Sequence, residues 1–400
     1  MRKAVSHRAH RPLRMLITAA VWAVAAAGSA RAAAVPGEGG LPNANFRTYD
    51  TPYYALYSDQ NVEIVREASV RITCMGEAYY QRCRAFGGKI RTKFPLYLFK
   101  EASDYSKAGG PGGSAGCYIS RGQGGKLLVR SDPQIGDKVW HVVQHEGFHQ
   151  FVHRMIGGEI PITVNEGMAE YFGHGIWTGD GLVCGVIPPD RLRRVQALLA
   201  AGRMSSWRNF FAMDYQQWGG IQQYDQAWSM VQFLVHADAE KYQQPFVGMI
   251  ADMAKRMPWD KAFVKWLGRD IDGSEQQWRK WWARLPANPT RDLYDQATVE
   301  TLVSFLARAA MRGVKFETAD DFFAAARAGK LVVDPEHANE WNWLPPVLLE
   351  SVLPNAKKLG EWSIAGSPPS LAVKRADGKV FTGTYRLQSG ARPEVTVTVK

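Results

Sequence analysis

The chain of 400 residues contains only four cysteines, Cys74, Cys83, Cys117 and Cys184. These are too few to define the disulfide framework of a small exported domain. Cys74 and Cys83 fall in one helical pattern, where nine residues span about 13 Å, so the pattern excludes a disulfide between them. Cross-pairing with Cys117 and Cys184 is therefore expected, with four buried thiols as the alternative. No cysteine spacing indicates a cysteine-bound metal.

Long apolar runs are scarce, and the run at residues 15–28 is too short for a comfortable membrane span. It follows a basic start and is followed by Ala30-Arg31-Ala32, which fits a cleavage site. Residues 1–32 are therefore predicted to be a secretory signal peptide, with export to the periplasm or the extracellular space. An uncleaved membrane anchor is the alternative. No cysteine follows the run, which argues against lipoprotein processing.

Excess charge is also small once that segment is set aside. Residues 1–32 hold six basic residues and no acidic ones, so the formal charge falls from +11 to +5 without them. The rest has no basic-aromatic stripe, and nucleic acid is not an expected partner. Weak attraction to an anionic cell envelope is compatible with this charge. The glycine run at 109–113 lacks the Gly-Lys-Ser/Thr ending of a phosphate loop and is interpreted as a mobile loop near a cleft.

The informative segment that the chain does contain is His145-Glu146-Gly147-Phe148-His149. In a helix, His145 and His149 lie about 40° apart on one face, so both imidazoles can reach one metal ion. Glu146 lies about 100° round from His145, where its carboxylate can reach a water on the metal as a general base. His141 and His153 extend the row, but no glutamate stands where they would need a base. A helix with packed or solvent-facing histidines is the alternative.

A catalytic zinc site usually has three protein ligands, so a third must come from elsewhere. Glu166 is the leading candidate, on a second helix predicted to begin there with Asn165 as its cap. Glu170 lies one turn further, where it can accept a hydrogen bond from the far nitrogen of a ligand histidine. An acid favoured by the helix dipole is the simpler interpretation of Glu166. The rival third ligands are Glu159, Glu170 itself and His174.

These two segments resemble the gluzincin zinc metallopeptidases, in which His-Glu-x-x-His is followed by a glutamate on a second helix. Residues 165–172 are similar to the corresponding segment of peptidase MA-like proteins. The resemblance covers roughly residues 50–285 and is nearest to an uncharacterised family of secreted bacterial proteins. It implies Zn²⁺ as cofactor, Glu166 as the third ligand and an oxyanion-stabilising tyrosine, for which Tyr224 is the nearest match. A segment like Gly-x-Met-Glu-Asn is missing, so aminopeptidase activity is not expected.

The leading hypothesis is an exported zinc peptidase, endopeptidase-like, that acts on a peptide or protein substrate. His145, His149 and Glu166 would bind the metal, Glu146 would be the base, and Tyr224 would stabilise the oxyanion. Two other hypotheses are a catalytically inactive, envelope-associated binding or structural protein on the same scaffold, and a hydrolase of non-peptide amides. The sequence does not indicate an oligomeric state.

Hydrophobic periodicity predicts an α+β fold with a small N-terminal mixed β-sheet, the motif helices, a mainly helical second half and a small C-terminal α/β module. The expected organisation is a linker at 33–50, a peptidase domain at 51–285 and a module at 290–400. The peptidase domain divides into a sheet-containing part at 51–160 and a helical part at 161–285. The tryptophans of the second half are expected in the core. Strands are predicted at 52–57, 94–99, 117–119, 127–129, 379–384 and 394–399, and helices at 62–85, 135–155, 191–201, 224–237, 244–256, 259–267, 274–283, 293–312 and 318–328.

Overall fold

The computed structural model describes residues 42–84, 90, 92–120, 125–131, 138–156, 160–334, 337–339 and 341–400. Across these ranges the protein has the predicted α+β architecture: a five-stranded mixed sheet with helices, a helical middle and a four-stranded antiparallel sheet. The predicted signal peptide and the rival ligand Glu159 lie outside the described residues.

The N-terminal sheet has the strand order β1-β2-β3-β5-β4. Its centre is parallel, because β2 pairs with β3 and β3 with β5 in the same direction, whereas β1 and β4 are antiparallel edges. The predicted hairpin of 117–119 with 127–129 is confirmed as β4 and β5. The last residues of the expected linker form β1. The elements are β1 (Arg47–Asp50), β2 (Tyr54–Ser58), α1 (Val62–Arg82), β3 (Phe94–Phe99), α2 (Ala102–Lys107), β4 (Gly116–Ile119) and β5 (Lys126–Arg130).

Two helices carry the sequence motifs, α3 (Lys138–Met155) and α4 (Ile162–Gly173). α3 packs against β4 and β5, and α4 packs between α3 and the later helix at Ile221–Glu240, α7. The prediction that the second helix begins at Glu166 is wrong, because α4 begins one turn earlier, after Pro161. Proline has a fixed φ that suits the start of a helix. Asn165 is consequently inside the helix and its side chain is available for a tertiary contact.

The helical middle surrounds α7, and its largest core residues are tryptophans. Trp207, Trp228, Trp278 and Trp282 are fully buried, in agreement with the core interpretation, whereas Trp266 is 40% exposed. No helix in the described ranges combines the length and the apolar character needed to cross a membrane. The elements are β6 (Ile176–Trp177), β7 (Leu182–Val183), α5 (Pro189–Ala200), α6 (Trp207–Phe211), α7 (Ile221–Glu240), α8 (Gln243–Ala254), α9 (Trp259–Leu267) and α10 (Ile271–Arg284).

The C-terminal region packs one face of a four-stranded sheet against α11, around Val299, Val303 and Phe381. The sheet order is β11-β10-β9-β8. One helix, α13, is absent from the predicted elements; it begins at Pro346 after Pro345, since proline is well tolerated at a helix start. The elements are α11 (Arg291–Met311), α12 (Ala319–Arg327), α13 (Pro346–Leu359), β8 (Glu361–Ala365), β9 (Ser370–Lys374), β10 (Val380–Arg386) and β11 (Glu394–Val399).

All four cysteines are free thiols, so the structure agrees with the alternative of reduced cysteines and not with cross-pairing. Cys74 lies in α1 and Cys83 at its C-terminal end. Cys74, Cys83 and Cys184 are buried, and burial raises the pKa of each thiol. Protonated, buried thiols of this kind behave as small apolar core residues.

Candidate metal centre

Three side chains from α3 and α4 converge on one point beside the N-terminal sheet. The Nε2 atoms of His145 and His149 are 3.1 Å apart. Glu166 Oε2 is 3.2 Å from Nε2 of His145 and 3.5 Å from Nε2 of His149. The three donor atoms therefore form a nearly equilateral triangle, and together they make one of the groups that could hold a metal ion.

The size of this triangle fits a small divalent cation. Zinc binds imidazole nitrogen and carboxylate oxygen at about 2.0–2.2 Å, so neighbouring ligand atoms of a tetrahedral site lie about 3.3–3.5 Å apart. Of the three separations, 3.5 Å lies within that range, and 3.1 and 3.2 Å lie slightly below it. Two imidazoles and one carboxylate are also a donor set that zinc uses in catalytic sites. The described residues thus fit the metal that the sequence predicts, although the same donors suit other divalent ions.

The far nitrogens of both histidines have acceptors that fix the rings. His145 Nδ1 is 3.1 Å from Glu170 Oε1, and His149 Nδ1 is 3.1 Å from Asn165 Oδ1. Both acceptors come from α4, at positions that flank Glu166. Hydrogen bonds of this type hold the proton on Nδ1 and leave the Nε2 lone pair for a metal. The sequence predicted this role for Glu170 but not for Asn165.

The electrostatics of the cluster favour a positive charge among these side chains. Burial alone would raise the pKa of Glu166, but the charge of His149 and hydrogen bonds from both histidines lower that pKa to about 2. Burial alone would lower the pKa of His145, but the hydrogen bonds and charges of Glu166 and Glu170 have the larger effect and raise that pKa well above its usual value. The pKa of His149 is raised in the same way, mainly by Glu166. The buried carboxylates therefore stabilise a cation at the imidazoles.

Glu146 lies beside the triangle and is not part of it. Its Oε2 accepts a hydrogen bond of 2.9 Å from the backbone N–H of Tyr118, in the edge strand β4. The side chain is half-buried. This contact ties the predicted general base to the edge of the sheet, and no sequence pattern could have identified the Tyr118 amide as its partner.

Tyr224 is brought next to the cluster from the first turn of α7. Its ring centroid is 6.3 Å from that of His145 and 5.2 Å from that of Trp218. Burial, and then the negative charge of Glu166, raises the pKa of the phenol, so it stays protonated at neutral pH and can donate a hydrogen bond. The structure thus places Tyr224 near the two motif helices.

The outer histidines of the row have separate surroundings. His153 is exposed and its Nδ1 is 2.8 Å from Ser120 Oγ. His141, Glu170 and His174 form a second group whose atoms could hold a cation. There the guanidinium of Arg191 pairs with Glu170 and lies 3.2 Å from His174 Nδ1, so a positive charge already occupies this side of Glu170. Burial and this guanidinium lower the pKa of His174 to about 3.

Arg191 also neighbours the site, and no sequence pattern predicts it. It lies on α5, 25 residues after Glu166, in a helix that reads as an ordinary amphipathic one. A single arginine at such a position carries no local signal of burial. Its partners are set by tertiary packing alone.

No model of a known protein family matches the chain, and no curated protein matches it. The sequence and the structure together show a buried cluster of histidines and glutamates, in a mainly helical region, that could bind a metal.

Proposed function

We propose that the protein is a zinc-dependent peptidase whose metal is held by His145, His149 and Glu166. The observation that carries the proposal is the triangle of ligand atoms at 3.1–3.5 Å, with Glu146 close enough for its charge to act on His149. Bound there, zinc would polarise a substrate carbonyl and lower the pKa of a water molecule. The motif segments of the gluzincin metallopeptidases, which this sequence resembles, support the same assignment.

Glu146 is the residue that we assign to proton transfer. The Tyr118 N–H engages Oε2, which keeps the carboxylate oriented and leaves Oε1 to take a proton from the attacking water and deliver it to the leaving amine. The Tyr224 hydroxyl, which is protonated at neutral pH, would donate a hydrogen bond to the oxyanion. These roles use only side chains that the fold brings to one place.

The position of β4 supports a peptide as the substrate class. β4 is an edge of the five-stranded sheet, and its residue Tyr118 contacts the assigned base. An extended peptide can bind by adding a strand to such an edge through backbone hydrogen bonds. At β4 the N–H groups of Gly116 and Tyr118 already donate to Ser114 and Glu146, so a peptide would have to replace these contacts in order to pair there. A chain paired along β4 would pass beside Glu146. We further propose, from the signal-like residues 1–32, that the substrates are peptides or proteins outside the cytoplasm.

The test compares Glu146→Gln with the parent protein and with His153→Gln. We expect Glu146→Gln to keep one zinc per chain and to lose roughly 100-fold or more of its activity on casein or a peptide library. His153→Gln is the matched control, since it changes a histidine of the same row that does not join the triangle, and it should keep both zinc and activity. Zinc content is measured by elemental analysis, and activity with and without a chelator.

Two outcomes would contradict the proposal. Equal turnover by Glu146→Gln and the parent would show that Glu146 is not the base. A folded parent protein that takes up no zinc would favour a binding or structural role on the same scaffold, and activity restricted to non-peptide amides would correct the substrate class.

A further inference from the structure

Arg191 is a buried arginine with partners on two helices of the site. It is 4% exposed, and the ring of Trp228 lies 4.4 Å from its guanidinium carbon. Its NH1 group pairs with Glu170 on α4. On α7, its Nε lies 2.8 Å from Asp225 Oδ1 and its NH2 donates to the carbonyl oxygen of Tyr224 at 3.0 Å. One side chain therefore joins the acceptor of His145 to the backbone of Tyr224.

The two oxygens of Glu170 are divided between the metal side and the arginine side. Oε1 faces His145 Nδ1 at 3.1 Å, and Oε2 faces Arg191. A carboxylate held by a guanidinium at one oxygen has its second oxygen fixed in direction, and it is a charge-assisted acceptor there. Without the guanidinium, Glu170 could rotate toward His141 or His174, which lie 3.8 Å from its oxygens. The orientation of the His145 ring thus depends on a residue that does not touch it.

We propose that Arg191 is a positioning residue that holds Glu170 against His145 and fixes the backbone of Tyr224 relative to the same point. The inference rests on the proposed zinc site and adds a residue to it. Its three contacts leave from three different nitrogens of a planar group. A lysine has one nitrogen at the end of a flexible chain and cannot reproduce them together.

Arg194 provides a matched control on the same helix. It also binds Asp225, through two hydrogen bonds of 2.9 and 3.0 Å, but its side chain is 44% exposed and its partner is on α7 only. Removing Arg194 therefore breaks an ion pair to Asp225 without disturbing Glu170. A purely structural role for Arg191, as an anchor of α5 on α7, predicts similar effects for the two arginines on the metal.

The experiment uses the full chain in metal-free and zinc-loaded forms, with the variants Arg191→Met, Arg191→Lys and Arg194→Met. In the metal-free protein, NMR of the ring nitrogens reports whether His145 keeps its proton on Nδ1 in a hydrogen bond. We expect Arg191→Met to lose or shift that resonance and Arg194→Met to keep it. Competition with a chromophoric chelator should show zinc affinity reduced roughly 10–100-fold in Arg191→Met, less in Arg191→Lys, and unchanged in Arg194→Met.

An unchanged His145 resonance and equal zinc affinity in Arg191→Met and Arg194→Met would overturn the inference and leave Arg191 as a structural anchor. If Arg191→Met fails to fold, Arg191→Lys decides, because it keeps the charge and loses the three-way geometry. Failure of the parent protein to bind zinc would refute the proposed function. The resonance in the metal-free variants would still decide the role of Arg191, so the two failures are distinguishable.

Discussion

Gly167 of α4 packs closely against the backbone of α7, and replacing it with alanine should push the two helices apart. A Cβ atom at this position would lie 2.6 Å from the carbonyl oxygen of Ala227 and 2.8 Å from Cγ2 of Val231. Ordinary contact begins at 3.4 Å, so one helix must move by up to 0.8 Å, the difference between 3.4 and 2.6. A backbone oxygen cannot rotate away, and the movement would carry Glu166 away from Tyr224.

The magnitude follows from two opposing terms. Overpacking a well-packed interface costs about 1–3 kcal/mol, whereas replacing a glycine inside a helix by alanine recovers about 1 kcal/mol. We therefore expect Gly167→Ala to lower the free energy of unfolding by up to about 2 kcal/mol. Gly147→Ala is the matched control in the other motif helix. There the new Cβ would meet the terminal carbon of Met75 at 2.9 Å, which a flexible side chain can relieve, so that variant should be neutral or slightly more stable.

The assay is urea unfolding of both variants, with zinc competition against a chelator as the second measurement. A lower midpoint at unchanged slope would report lost stability, and weaker zinc binding by Gly167→Ala would report displacement of Glu166. The reasoning would be refuted if Gly167→Ala and Gly147→Ala had the same stability and the same zinc affinity. The control also tests why Gly147 occurs in its helix: a neutral alanine would mean that close packing against α1 is not a strict requirement.

Two further predictions concern buried charges away from the metal cluster. Arg308→Met should lower the free energy of unfolding by about 3 kcal/mol, the lower end of the range for a broken buried ion pair. It removes the guanidinium that binds Asp180 at 2.6 and 2.9 Å and leaves that carboxylate with only the more distant Arg392, whose Nε is 3.8 Å away. Adding Asp180→Asn should recover part of that loss in urea unfolding, and no recovery would disprove the charge argument. Burial and the charge of Arg82 lower the pKa of His236 to about 4. The neutral imidazole therefore contributes fully to the free energy of unfolding above pH 6.5, and this contribution is lost as the pH falls toward 4. The expected loss is about 1–2 kcal/mol, because the group is partly exposed. His236→Gln should flatten the dependence of the unfolding midpoint on pH in that window, and parallel curves for parent and variant would contradict it.

Local periodicity explains which parts of the site could be predicted from the sequence. The spacing of His145 and His149 fixes their relation within one helix, whatever the tertiary fold, and Nε2 atoms 3.1 Å apart agree with it. Residues 94–99 and 259–267 are strand and helix with the predicted bounds, because their apolar patterns are undisturbed by competing signals. Glu166 was the leading third ligand from the sequence and the resemblance supported it, but its contact with both histidines joins two different helices, so spacing alone could not fix it.

The predicted helix starts are wrong where one residue type suits two structural roles. Asn165 is a good helix cap, and Pro161 is a good helix start, so the sequence contains two competing signals four residues apart. Tertiary structure decides between them, because the amide of Asn165 serves as acceptor for His149. The predicted helices do not include α13, although Pro345 and Pro346 stand where a helix needs no N–H donors. The partners of Glu146 and Glu170 are fixed by packing between elements distant in the sequence.

The pattern of hydrogen bonds gives an argument against a mere packing role for the two histidines. The Nδ1 atoms of His145 and His149 both face side-chain oxygens, so both rings carry a proton there and present unprotonated Nε2 atoms in their neutral form. Those two nitrogens and a Glu166 oxygen then place three acceptors within 3.5 Å of one another, in a buried site where mutual repulsion is costly. The negative charge of Glu170 is already neutralised by Arg191, so the negative charge of Glu166 needs a positive charge at the triangle itself. A cation at the triangle, either a metal ion or the second imidazole proton that the raised pKa of His145 favours, removes both the repulsion and the imbalance, and apolar packing would achieve neither.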